Sequence, residues 1–166
     1  MINIWCFTPR RAQSTSILML IGYLEITPDI LTICEKYRMD LMEELSAERI
    51  IEIHDDIINE YGGTGGLLTK GTLELLVYKV NHEKDVFRKA ALVLHSIAAQ
   101  HPFFDGNKRT AFVTAENVLG EAGYFLDAED DEIVELMRKI AQYKHTIKTI
   151  ENWIREKAMA TSEPIF

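Results

Sequence analysis

One stretch of the chain, residues 101–110, joins two apolar runs of helical periodicity and constrains the fold more than any other. Its sequence is His-Pro-Phe-Phe-Asp-Gly-Asn-Lys-Arg-Thr. Proline disfavours helical angles in the residue before it, so the helix over 86–100 is predicted to end at His101. Asp105-Gly106 is a turn signal, and helical spacing returns from Asn107. The sequence therefore predicts a helical hairpin with this loop at its tip.

The loop collects side chains that suit phosphoryl or nucleotidyl transfer. The first N–H groups of a helix lack intrahelical acceptors and attract anions, and here Lys108 and Arg109 lie beside them. Asp105 offers a carboxylate oxygen, the ligand type that Mg²⁺ prefers, and His101 can act as a general base near neutral pH. The simpler alternative is an interhelical loop with a hydrogen-bonded histidine and a solvated Lys-Arg pair.

The same residues carry a family resemblance. The stretch resembles the Fic/Doc signature His-x-Phe-x-Asp/Glu-Gly/Ala-Asn-Gly/Lys-Arg at every specified position. The similarity extends over about 46–158, through a helix ending in Tyr61-Gly62-Gly63 and a C-terminal helix that carries Trp153. The resemblance implies an all-α, Fic-like helical bundle around the motif-bearing hairpin, with at most a small β flap.

The flap would correspond to residues 67–80, which in this family lie over the active site and take the target protein as an added strand. The hydrophobic pattern there permits a short strand or a helix equally well, so both remain open. On an edge strand, Lys70 and Glu74 would be candidate target contacts.

Site roles follow from the resemblance residue by residue. It implies ATP and Mg²⁺ as ligands, His101 as general base and Asp105 as metal ligand. Phe103 would anchor the loop in the core. The phosphates would be bound by Gly106, Asn107, Lys108 and Arg109.

Two departures from the AMP-transferring branch resemble the death-on-curing (Doc) toxins. Lys108 replaces a glycine, and Phe112 replaces a second arginine. The resemblance implies a kinase-like toxin that transfers phosphate from ATP to a hydroxyl of a target protein, such as a translation elongation factor. AMP transfer and a catalytically silent binding module are the alternatives.

Restraint of such a toxin is expected from a second chain. The self-inhibitory pattern Ser/Thr-x-x-x-Glu-Gly/Asn is absent from the sequence; Glu151-Asn152, for example, has Ile147 where Ser or Thr should be. The resemblance therefore implies a separate antitoxin as partner.

The chain divides into an N-terminal extension of uncertain status over 1–45, a Fic/Doc domain over 46–160 and a tail over 161–166. The apolar run of residues 17–24 is too short to span a bilayer and lacks a cleavage site, so we interpret it as a peripheral strand or short helix. Met39 or Met42 is an alternative start of the natural product. A net charge of −8 argues against nucleic acid as substrate, and two cysteines without metal-ligand spacing indicate a cytoplasmic, reduced protein.

Capping signals predict the helix boundaries around the motif. Ser46 is the expected N-cap of a helix that ends at Tyr61, Asp85 that of the helix before the motif, and Asp127 that of a later acidic helix. The glycine-rich run 62–66 is interpreted as a flexible connection, since it lacks the Gly-Lys-Ser/Thr ending of a phosphate-binding loop. His54 is expected to be a packed or partly exposed histidine rather than a catalytic one.

Overall fold

The structure, a computed structural model, describes residues 44–161. Several predictions concern residues outside this range. They are the interpretation of residues 17–24, the alternative starts at Met39 and Met42, the two cysteines, and the tail from residue 162. No helix within the described range is long and apolar enough to cross a membrane.

Six helices and one pair of short strands make up the described residues, which confirms the all-α class with a small β element. In chain order they are α1 (Ala47–Tyr61), α2 (Lys70–His82), α3 (Val86–Gln100), α4 (Asn107–Glu121), β1 (Tyr124–Leu126), α5 (Asp130–Ala141), α6 (Ile147–Lys157) and β2 (Ala158–Ala160). The two strands pair antiparallel, with Phe125 opposite Met159.

Helix α3 is the centre of the fold. It packs against α2, α4, α5 and α6, and its residues 90–99 are buried apart from His95, which is partly exposed. Its partner in the motif hairpin, α4, also contacts α1. The predicted hairpin is therefore confirmed, and it lies at the middle of the bundle.

The predicted caps hold at two helices and fail at a third. Ser46 Oγ accepts from the Arg49 N–H, and Asp85 Oδ1 accepts from the N–H groups of Phe87 and Arg88. The prediction for Asp127 was wrong, because its N–H bonds to the Lys157 carbonyl and thereby extends the strand pair. Helix α5 begins later, with Glu129 as N-cap.

The segment 67–80 is helical over most of its length. Leu73, Leu76 and Val80 are buried at helical spacing on α2, and only Leu67 makes a β contact, a single antiparallel bridge to Phe103. The open choice between strand and helix is thus decided by burial against α3.

Candidate functional site

The motif loop lies between the end of α3 and the start of α4. His101 is the C-cap of α3, with φ 47° and ψ 63°, in the left-handed region that non-glycine residues seldom occupy. Its N–H still bonds to the Ile97 carbonyl, and the residue is exposed. The fold therefore presents the predicted general base at the surface, on a backbone fixed by the helix end.

Asn107 holds the loop from inside. Its Oδ1 accepts from the Phe103 N–H at 2.9 Å and its Nδ2 donates to the Phe103 carbonyl at 2.8 Å. Phe103 itself is 1% exposed, which confirms that its ring anchors the loop in the core. Both amide atoms of Asn107 face the loop backbone, and its phosphate contact remains a prediction.

The start of α4 brings the predicted metal ligand and the two cations together. Gly106 is the N-cap, with φ 73°, and its N–H donates to Asp105 Oδ1 at 2.6 Å. Asp105 is exposed, Lys108 is half-buried and Arg109 is 6% exposed. One carboxylate and two cations thus surround the N-terminal end of a helix.

The glycine-rich run 62–66 borders this site, which the sequence did not reveal. The Arg109 Nη2 donates to the Gly62 carbonyl at 3.2 Å. A Cβ at Gly63 would lie 2.7 Å from Asp105 Oδ2 and 3.3 Å from Arg109 Nη2. The absence of a side chain at Gly63 therefore allows this segment to approach the site closely.

Residues 66–69 continue along the motif loop. The Phe104 N–H donates to the Gly66 carbonyl, and the N–H groups of Leu68 and Thr69 both donate to the Pro102 carbonyl. Phe104 and Leu68 keep 60% and 53% of their surface exposed. The motif loop and the segment bonded to it thus each expose one large apolar side chain.

Lys70 and Glu74, the candidate target contacts, are exposed on α2. They form an i,i+4 ion pair with 3.6 Å between Nζ and Oε1. Because they lie on a helix and not on an edge strand, strand addition at these residues is not available, and their contact with a target remains a prediction.

His54 also reaches the motif loop. It is buried, which agrees with a packed histidine, but its ring stacks on Phe103 and its Nε2 lies 3.0 Å from the Asp105 carbonyl oxygen. The two residues are 51 positions apart, so no local pattern in the sequence could have paired them.

The donor set fits Mg²⁺ held together with a phosphate-containing ligand. Among residues 44–161 no three or more His, Cys, Asp or Glu side chains are grouped so that they could hold a metal ion. A single carboxylate, Asp105, with Arg109 beside it is the arrangement in which Mg²⁺ keeps waters and phosphate oxygens as its other ligands. Asp105 would hold the ion, and Lys108 and Arg109 would bind the phosphates.

Comparison with known proteins agrees with the motif. Residues 68–119 match the model of the Fic/DOC family. The protein kinase doc of Escherichia phage P1 is similar, with 36% identity over 80 residues, which cover 45% of this chain and 64% of the relative. The match therefore spans slightly less than two thirds of that protein. Both findings confirm the predicted resemblance: residues 68–119 are similar to the Fic/DOC family, and a Doc protein is among the proteins to which the chain is similar.

Proposed function

We propose that the protein is a Doc-like toxin that transfers phosphate from ATP to a hydroxyl group of a target protein. The observation that carries the proposal is the arrangement at the tip of the α3–α4 hairpin. An exposed histidine, an exposed carboxylate and two cations lie within one loop and the first turn of a helix. The similar phage protein is named a protein kinase.

In this proposal His101 takes the proton of the acceptor hydroxyl. The hydroxyl oxygen forms a bond to the γ-phosphorus of ATP, and the bond between the γ-phosphorus and the β,γ-bridging oxygen breaks, which releases ADP. Lys108, Arg109 and the N–H groups at the start of α4 stabilise the negative charge on the transferred group. Asp105 holds Mg²⁺, which supplies further charge neutralisation when bound. Phe104 and Leu68 form an apolar rim that suits a protein surface as the acceptor.

Phosphate transfer is favoured over AMP transfer by the environment of Phe112. This position, where the AMP-transferring branch carries its second arginine, is 7% exposed and belongs to the hydrophobic core. An arginine there would place a charge in the core instead of adding a phosphate contact at the loop. Phe112 therefore fits a site with Lys108 and Arg109 as its cations.

The proposed partners are a translation elongation factor as target and a separate antitoxin chain, with the cytoplasm as the place of action. Glu151, the glutamate of the pair Glu151-Asn152, pairs with Arg88 near the start of α3. His101 ends the same helix, about 20 Å away at 1.5 Å per residue. Glu151 therefore cannot reach the phosphate site, so inhibition must come from the separate antitoxin chain. Cells that express the toxin should stop growing, and co-expression of the antitoxin should restore their growth.

A comparison of labelled nucleotides tests the proposal. The purified protein is incubated with Mg²⁺, a cell extract and ATP labelled at either the γ- or the α-phosphate. We expect γ label on a protein of the extract, loss of that label in His101→Ala, and full labelling in the control His145→Ala, which changes a histidine outside the site. Transfer of the α label would instead establish AMP transfer, and absence of both labels would favour a silent binding module.

A further inference from the structure

His54 lies where it can control the geometry of the motif loop from a different helix. Its side chain is 1% exposed on α1. The imidazole stacks on the Phe103 ring with 3.9 Å between centroids and 6° between planes, and Nε2 lies 3.0 Å from the Asp105 carbonyl oxygen. The ring therefore contacts the loop both through its face and through one nitrogen.

The hydrogen bond fixes which nitrogen carries the proton. A carbonyl oxygen can only accept, so Nε2 must be the donor to Asp105. The other nitrogen, Nδ1, lies 3.2 Å from Asp55 Oδ1, but the Asp55 side chain is 61% exposed and can bond to water instead. The buried contact with Asp105 thus requires the Nε2–H form whether or not Nδ1 is protonated.

The carbonyl that His54 holds belongs to the peptide between Asp105 and Gly106. On the other side of this peptide, the Gly106 N–H bonds to Asp105 Oδ1. A Cβ at Gly106 would lie 3.5 Å from His54 Cδ2, so the imidazole also packs against this peptide. Rotation of the peptide would displace the Asp105 carboxylate and the first turn of α4 together.

We propose that His54 is a positioning residue that orients the Asp105–Gly106 peptide, and with it the Asp105 carboxylate, for binding of Mg²⁺ with a nucleotide. The inference rests on the proposed function for the identity of the ligand. It differs from a packing role, because an apolar ring of similar size would fill the same space without a donor for the Asp105 carbonyl. A residue that orients a metal ligand typically changes metal affinity about 10- to 100-fold when it is lost.

Two substitutions separate the ring from the donor. His54→Phe keeps a ring over Phe103 and removes the N–H, whereas His54→Gln removes the ring and keeps an N–H at similar reach. The control is His82→Phe, since His82 also contacts an aromatic ring, that of Tyr78, and bonds through Nδ1 to a backbone carbonyl. His82 is exposed on α2, away from the motif, so its replacement should leave the loop unchanged.

The experiment measures calorimetric binding of a non-hydrolysable ATP analogue to the full chain, with Mg²⁺ and with EDTA. For His54→Phe we expect about tenfold weaker binding with Mg²⁺ and a smaller loss in EDTA, where only the phosphate contacts of the first turn of α4 are affected. His54→Gln should recover most of the Mg²⁺-dependent affinity, and His82→Phe should match the unsubstituted protein. Equal weakening in both conditions, or a larger loss in His54→Gln than in His54→Phe, would overturn the inference in favour of packing alone.

A measurement without ligand separates this inference from the proposed function. In the unsubstituted protein, nitrogen-15 NMR of His54 should show a protonated Nε2, and the Gly106 amide should exchange slowly with solvent because Gly106 is buried. In His54→Phe the Gly106 amide should exchange faster, while helix α6 keeps its protection. If the unsubstituted protein binds no nucleotide but shows these signals, the proposed function fails and the loop-positioning role stands. An unprotonated Nε2 or unchanged exchange in His54→Phe would overturn the role itself.

Discussion

At the scale of single residues, the site depends on one position without a side chain. Gly63 has φ 125°, which side-chain-bearing residues rarely adopt, and a Cβ there would lie 2.7 Å from Asp105 Oδ2 and 2.9 Å from Ile58 Cδ1. The sequence indicated a flexible connection here, because glycine-rich runs between helices are commonly flexible. It could not show that the segment folds onto a loop some forty positions later in the chain.

Gly63→Ala should therefore damage the site. Its methyl group meets the Asp105 carboxylate, so we expect a stability loss of about 2 kcal/mol and at least about tenfold weaker γ-phosphate transfer. The matched control is Gly123→Ala, because Gly123 has φ 77°, lies outside the site, and a Cβ there would come no closer than 3.4 Å to its nearest neighbour, Thr161 Oγ1. That variant should lose about 1 kcal/mol of stability through backbone strain alone and keep its transfer activity. Urea unfolding and the label assay measure both quantities, and equal activity losses in the two variants would contradict this account.

At the scale of helices and strands, the sequence predicts well wherever the signal is local. Ser46, Asp85 and Pro102 act on their own neighbours, so the boundaries of α1 and α3 follow from the sequence. Asp127 is no cap because its backbone continues the strand pair by bonding to Lys157, thirty positions away, and a local capping rule does not include such a partner. The contact between His54 and Asp105 could not be predicted from the sequence for the same reason, because the two residues are 51 positions apart.

One ionic cluster joins the start of α3 to α6. Glu151 is buried and accepts from Lys148, Arg155 and Arg88, and Arg155 also pairs with the α3 cap residue Asp85. The hydrogen bond from Lys148 is the main cause that lowers the pKa of Glu151 below its usual value of 4.5. Because the folded-state pKa is the lower one, this carboxylate stabilises the fold fully above about pH 4.5 and loses the effect as pH falls through its lowered pKa.

Glu151→Gln should therefore reduce stability by about 1 to 2 kcal/mol near neutral pH and by less in acid. Urea unfolding at neutral pH and below pH 4.5 measures the difference. The control is Glu135→Gln. The bonds from Arg138 bring the pKa of Glu135 to about 2, but both side chains are exposed and solvent screens the pair, so this substitution should change stability little at either pH. A loss for Glu151→Gln that does not shrink in acid would show that packing, not charge, accounts for the effect.

At the scale of the whole molecule, hydrogen bonds from several separate elements hold the motif loop in place. His54 bonds to it from α1, residues 66–69 pair with it, and Asn107 bonds to it from α4. The Phe103 ring lies in the core beside α3. Because these supports come from separate elements, the loop cannot open unless several of them separate together. The site should therefore be formed before any nucleotide binds.

Hydrogen exchange of the nucleotide-free protein tests this prediction. The amides of Phe103, Phe104 and Leu68 should exchange slowly, with protection within about 1 to 2 kcal/mol of the amides at the centre of α3. The Lys84 amide is the internal reference, since it bonds to the neighbouring Glu83 carboxylate at the surface and should exchange quickly. Addition of Mg²⁺ with an ATP analogue should then change the exchange rates of these loop amides little. Fast exchange that slows only with ligand would mean that nucleotide binding must also order the loop, which would lower the affinity by the free energy of that ordering.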